Sequence, residues 1–399
     1  MNHQSVGYKL TALLRSKVIR YPILLILLAL GLFFLFREAH HLSGNDFIEY
    51  WSATRINLEG GNPYSPDELL KVQKQGGWIH QQPKLMVYPP WTFSIVIIFG
   101  LFEYSHAQLL WLLCQIGVIL YCANKIWALY GGQVKQQWVA WVIPFIFAPT
   151  ILVLGIGQIT PLLLLGIIGF ISFIEKHRND YIAGVFLTLV LIKPQVIYIF
   201  WIALLFWIVE QRRWLILVSS GVSLLFLILL ALIFNPNVIK QFLEMMQANL
   251  ISQWASPTIG AYLRFFWLGT DIFWPQYLPA IFGGLWFLVY WFKHHSSWHW
   301  LKELPILLFV SILTTPYAWT YDQVILVPAV IQATIWLLNA RKRWVALLLA
   351  CLFLGINILD LGLHMRLSDF WFVWMVPVLL IWYLLADRFK SPMKIMLPA

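Results

Sequence analysis

Residues 181–213 read YIAGVFLTLVLIKPQVIYIFWIALLFWIVEQRR. Two uncharged apolar runs, 181–192 and 195–209, meet at Lys193-Pro194, and the second ends at Glu210 and Arg212-Arg213. Runs of this length and apolarity, one after another, are helices whose solvent is lipid. Proline cannot continue the first helix, so the chain breaks at the cation that separates the two runs. An ammonium flanked by hydrocarbon either snorkels to the interface or faces a polar cavity or partner. The backbone groups that Pro194 leaves free favour the cavity.

The rest of the chain agrees with this stretch. Of its 399 residues, 61% are hydrophobic and 11% are charged, against roughly 25% charged in a soluble protein. Apolar segments recur near 18–37, 107–128, 138–154, 159–175, 214–234, 276–292, 304–315, 322–338, 344–359 and 370–386. With the two quoted runs they predict an all-α, polytopic integral membrane bundle of about twelve crossings. There is no repeat and no polar linker, so residues 1–399 are expected to form a single membrane domain. The stretch 88–102 opens on Tyr88-Pro89-Pro90 and is short for a span. A thirteenth crossing would also put the two basic termini on opposite sides, so it is expected to dip into the membrane or lie along it.

Basic clusters at Lys125/Lys135, Lys176/Arg178, Arg212-Arg213, Lys293/Lys302, Arg341–Arg343 and the C-terminus all fall on one side. By the positive-inside rule that side is cytoplasmic, with both termini in it. The apolar run 21–36, preceded by Lys9, Arg15, Lys17 and Arg20 and followed by no small-x-small site, reads as the core of an uncleaved first span at 18–37. Two long loops, 38–106 and 235–275, then lie outside. The net charge of +10 thus reflects orientation rather than nucleic-acid binding. Cys114, Cys122 and Cys351 lie in apolar segments without metal or redox spacing and read as small buried hydrophobes.

Several outer positions carry polar groups suited to chemistry. Asp46 and Glu49 (NDFIEYW) share a helix face if the helix starts at Asn45 or Asp46. Asp46 is then either an N-cap or a carboxylate available for chemistry. Gly155-Ile156-Gly157-Gln158 and Lys193-Pro194-Gln195 interrupt apolar runs, and Thr314–Asp322 and Asp360–Arg366 are polar outer loops. An arginine fork and a histidine, such as Arg366 and His364, suit a phosphate. The chain has no phosphate-cradling Gly-rich loop, no His-Glu-x-x-His helix and no nucleophile elbow, which argues against ATP-driven chemistry and proteolysis.

NDFIEYW after the first span, GGNPY, YPP, GIGQ, AGVFLTLVLIKPQ and TPYAWTYDQVILVP occur in that order between about 44 and 330. In this the chain resembles glycosyltransferase family 87. The resemblance implies a GT-C glycosyltransferase with juxtamembrane or re-entrant elements in its first outer loop. Its donor would be a polyprenyl-phosphate sugar, commonly mannose, and it would work on the extracytoplasmic face of the cell membrane. Asp46 would be the catalytic base, and transfer would invert the anomeric centre. A lipid or glycan hydroxyl would accept the sugar. Glu49, Tyr88, Gln158, Lys193, Gln195, Tyr321, Asp322, Arg264, His364 and Arg366 are the expected substrate-binding residues. Among them Lys193, Arg264, His364 and Arg366 could stabilise the phosphate leaving group. No metal and no cofactor is expected. Broken helices with buried ions also suit a transporter or flippase of a lipid-linked or amphipathic solute; the lack of two related halves counts against it.

Overall fold

The computed structural model describes residues 46–248, 254–269 and 272–390. The expected first span at 18–37 lies outside these residues. Among those described, every regular element is helical.

Two short helices, α1 (Phe47–Leu58) and α2 (Pro66–Gln75), open the described chain. Ser65 caps α2, with Pro66 in its first turn. Glu68 accepts from Asn62 N–H (2.9 Å), which closes the GGNPY turn onto the helix it introduces. The apolar stretch after Tyr88 forms α3 (Trp91–Ile95) and α4 (Ile97–Gly100), of five and four residues. Neither is long enough to span, in keeping with the expectation for 88–102.

The remaining helices follow. They are α5 (Tyr104–Leu129), the pair α6 (Gln137–Val142) and α7 (Ala148–Ile156), α8 (Thr160–Glu175), α9 (Asp180–Val190), α10 (Tyr198–Gln211) and α11 (Leu215–Phe234). After these come α12 (Val238–Gln247), α13 (Ile259–Leu263), α14 (Leu278–His294), α15 (Trp300–Thr314), α16 (Val327–Leu338), α17 (Arg343–His364) and α18 (Met375–Arg388). Every described segment expected to be a span is helical, but the expected count is not reached. Among the described residues, six helical stretches are long and apolar enough to cross a bilayer, or seven if 134–146 and 148–156, bent by 63° at their break, are taken as one. The reason is length. The 16 residues of α8 rise about 24 Å, against a hydrocarbon core of about 30 Å. Chain breaks at Gly157, Lys193-Pro194 and 315–319 cut apolar sequence into helices shorter than a span.

The exteriors of the long helices confirm a membrane protein. On α11, Val218, Val222, Leu225, Phe226, Leu229 and Ile233 are all more than half exposed. A continuous apolar face of that kind is stable only against lipid. Cys122 is buried as expected and Cys114 half-buried, but Cys351 is exposed, on the outward side of α17. Inside, α9 lies directly against α11: a Cβ on Gly184 would collide with Ser219 Oγ and Ile216 O. Phe47 of α1 stacks on Trp111 of α5 (5.4 Å) and meets Phe99 of α4 edge-on (6.1 Å). These rings fix the first turn of α1, and with it Asp46, against the long helices.

Candidate active site

Asp46 stands at the N-cap of α1, yet its side chain makes no capping hydrogen bond. Its backbone N–H instead donates to Ile156 O at the end of α7 (2.7 Å). Its carboxylate is turned to other partners. Oδ1 receives the Lys84 ammonium at 2.5 Å, and Oδ2 receives Gln158 Nε2 at 2.5 Å. The capping reading therefore falls, because the acid is held by side chains from two distant loops.

Gln158 is placed by backbone geometry. Gly157, with φ +72°, ends α7 in the left-handed region that glycine enters without a Cβ clash. The chain then restarts as α8, with Pro161 in its first turn. From α5, Trp111 Nε1 donates to Gly157 O (2.7 Å) and Gln115 Nε2 to Gln158 O. The side-chain orientation follows from its neighbours. Its Oε1 accepts from Tyr50 hydroxyl (2.7 Å) and Lys193 Nζ (3.0 Å), with Tyr88 hydroxyl at 3.3 Å. Only the opposite, NH₂ edge can therefore face a carboxylate.

Lys193 does not snorkel. Its side chain is 5% exposed and its ammonium lies 2.9 Å from Asp322 Oδ1, with Gln158 Oε1 and Thr160 Oγ1 (3.5 Å) as further acceptors. The rings of Tyr88 and Tyr321 flank it at 5.3 and 5.2 Å. Asp322 is equally enclosed: Oδ1 also accepts from Thr160 hydroxyl (2.6 Å) and Oδ2 from Trp319 N–H (3.0 Å). Tyr321 hydroxyl lies 3.3 Å from Gln158 Nε2. One connected polar network thus joins Lys84, Asp46, Gln158, Lys193 and Asp322, with three tyrosines around it. A buried charge is tolerated only with partners of this kind.

Glu49 is the neighbouring carboxyl, one turn along α1. Burial first, and then the charge of Asp46, push it well above the usual carboxylate range. Asp46, by contrast, is the carboxyl that a cation and an amide donor hold.

The other expected residues lie around this network or away from it. His364 Nε2 is 3.0 Å from Asp369 Oδ1, and Nδ1 faces Asp360. Asp369 in turn accepts from Thr320 hydroxyl (2.5 Å) and N–H (3.2 Å), so His364 braces the segment that carries Tyr321 and Asp322. Arg264 is buried; it donates to Gln276 (3.0 Å) and sits 3.9 Å over the Phe273 ring. Gln276 donates to Pro316 O (2.9 Å), which places this arginine behind the 315–319 turn. The Gln195 side chain is exposed, and its carbonyl accepts from Thr315 (2.9 Å). Arg366 is exposed, and its side chain has no hydrogen-bond or ion-pair partner among the described residues. Sequence reasoning missed Lys84, Tyr50, Thr160 and Asp369. Lys84 sits in a polar stretch shortly after Lys71 and Lys74 of α2, and nothing in the local sequence sets it apart from them. Among the described residues no group of three or more His, Cys, Asp or Glu is arranged to hold a metal ion.

The family model for glycosyltransferase family 87 matches residues 86–354. The chain belongs to glycosyltransferase family 87. No curated protein and no solved structure matches it. Membership makes this a membrane glycosyltransferase rather than a carrier. The family 87 match takes in Tyr88, Gln158, Lys193, Arg264, Tyr321 and Asp322. Asp46, Glu49 and Lys84 precede its start, and His364 and Arg366 follow its end. The geometry, and not the match, ties Asp46 to the family 87 segment, through Gln158.

Proposed function

We propose that this glycosyltransferase moves a hexose, most readily mannose, from a polyprenyl-phosphate sugar to a hydroxyl of a lipid or glycan acceptor. The reaction takes place on the extracytoplasmic face of the cell membrane, within one GT-C-type helical domain whose termini are cytoplasmic. The observation that carries this reading is the Asp46 carboxylate. It is turned away from its own helix and held between a lysine and the amide of Gln158.

An alcohol is a weak nucleophile, and a carboxylate within hydrogen-bond reach takes its proton as the new bond forms. The acceptor oxygen bonds to the anomeric carbon, the bond from that carbon to the phosphate oxygen breaks, and the proton passes to Asp46. A single displacement of this kind inverts the anomeric centre. The polyprenyl phosphate leaves as a stable anion that needs positive charge rather than a proton. Burial favours the neutral form of Glu49, which limits a second negative charge where the acceptor hydroxyl must come.

The test is transfer by the purified full-length protein from a panel of polyprenyl-phosphate sugars, with the product detected by mass. Wild type is expected to transfer hexose, and Asp46→Asn to express normally while losing transfer. Full activity of Asp46→Asn would remove the base role. Absence of transfer from every polyprenyl-phosphate sugar would remove the donor class.

A further inference from the structure

Lys84 lies on a stretch with no regular secondary structure, yet its backbone is held from both sides. Gln73, fully buried on α2, donates to Lys84 O (2.7 Å) and accepts from Lys84 N–H (2.9 Å). Gln73 also donates to Ser52 of α1 (3.1 Å). The Cα of Lys84 is thereby anchored to the helix that Asp46 begins, while its side chain is 37% exposed. Among the described residues Asp46 is the ion-pair partner of its ammonium, which has three donors.

Lys193 is the opposite case, with three acceptors around a side chain 5% exposed. A phosphate could reach it only by breaking contacts with Asp322, Gln158 or Thr160. Lys84 has, among the described residues, only its contact with Asp46 to give up, and it has a solvent-facing side, a fixed root and a flexible stem.

We infer that Lys84 is the cation that meets the anionic group of the donor, and that Asp46 and this phosphate compete for the same ammonium. When Lys84 turns to the phosphate, Asp46 keeps Gln158 and loses its cation. Its Oδ1 then opens toward the acceptor hydroxyl at the moment the donor is seated. Arrival of the donor is thereby coupled to unmasking of the carboxylate. The premise is the role proposed above for Asp46, and the test separates the two.

Competition has a signature that a fixed phosphate ligand lacks. Binding of farnesyl phosphate to the purified full-length protein is followed by tryptophan quenching, with farnesol as the uncharged control. Lys84→Met is expected to bind farnesyl phosphate about tenfold more weakly, near the level of farnesol. Lys84→Arg, which keeps the charge, is expected to stay within about threefold of wild type. Asp46→Asn, which frees the lysine, is expected to bind farnesyl phosphate several-fold more tightly than wild type. Wild-type affinity in Lys84→Met overturns the inference. So does weakened affinity in Lys84→Met without tightening in Asp46→Asn, since Lys84 would then hold phosphate without exchange. Either result leaves the base role standing if Asp46→Asn fails to transfer sugar. Transfer by Asp46→Asn removes the base role whatever the affinities.

Discussion

Gln158 joins two lysine–aspartate pairs built in opposite ways. On one side Lys193 and Asp322 are 5% and 2% exposed, with three acceptors around the ammonium, both carboxylate oxygens hydrogen-bonded and two tyrosine rings against the ammonium. On the other, Lys84 is 37% exposed and its ammonium has open donors, while Asp46 beside it is 9% exposed. The enclosed pair holds four stretches of chain together, and the open pair is able to change partners. Residues of the same type divide into support and chemistry according to how much water and how many partners each retains.

The strongest challenge to this division is to remove one charge from the enclosed pair. Lys193→Met leaves Asp322 buried without its cation, a cost of about 3–5 kcal/mol. It is expected to lower thermal stability sharply in detergent. Lys193→Met combined with Asp322→Leu is expected to regain much of that stability without regaining transfer. A single variant that melts like wild type would remove the supporting role of the pair.

Cutting the link comes next. Gln158→Leu strips Asp46 Oδ2 and the Lys193 ammonium of one partner each, a cost of about 1–3 kcal/mol. Turnover is expected to fall by more than the stability loss explains, as measured on protein that still elutes as a single species. Equal loss in both would make Gln158 a structural residue alone.

Glu49 sharpens the comparison through pH. Burial raises its carboxyl above the usual range, so in the window between its unfolded and folded values the folded protein binds more protons than the unfolded one. Stability therefore falls as pH rises through that window. Above it, Glu49 ionises beside Asp46, and transfer is expected to decline. Glu49→Gln, which cannot ionise, is expected to lose that alkaline decline in a pH–rate profile; an unchanged profile would clear Glu49 of the effect.

The smallest effect on stability is expected at Lys84. Partial burial lowers the ammonium and Asp46 raises it, with a net upward shift. Removing the lysine leaves the largely buried Asp46 with Gln158 as a remaining partner, so the loss is smaller than at the enclosed pair. Lys84→Met is expected to lose clearly less stability than Lys193→Met while its transfer collapses. A large drop in melting temperature would place Lys84 with the supporting pair.

The enclosed pair was half legible in the sequence. A lysine followed by proline between two uncharged runs marks a break with a costly charge in it, and TPYAWTYDQ marks another. That Lys193 pairs with Asp322 was not legible, because the two lie on separate breaks and only packing brings them together. Asp46 was visible as an acid at a helix start. The choice between cap and base turned on side-chain direction, which Gln158 and Lys84 decide. Lys84 was invisible as a functional residue, since its anchoring by Gln73 is a tertiary contact within a polar loop. The helix positions were readable from apolar runs, but the number of crossings was not. Apolar sequence looks alike in a full span and in a half-length helix stopped by glycine or proline.

The sequence distance within the enclosed pair bears on how the protein is made. Lys193 is synthesised 129 residues before Asp322, and synthesis runs from the N-terminus. During that interval the nascent chain contains the cation without its carboxylate. The two neutral acceptors, Gln158 and Thr160, have already been made when Lys193 emerges. They give the ammonium an early residence, so the lysine can take its place in an unfinished bundle and receive its counter-ion last.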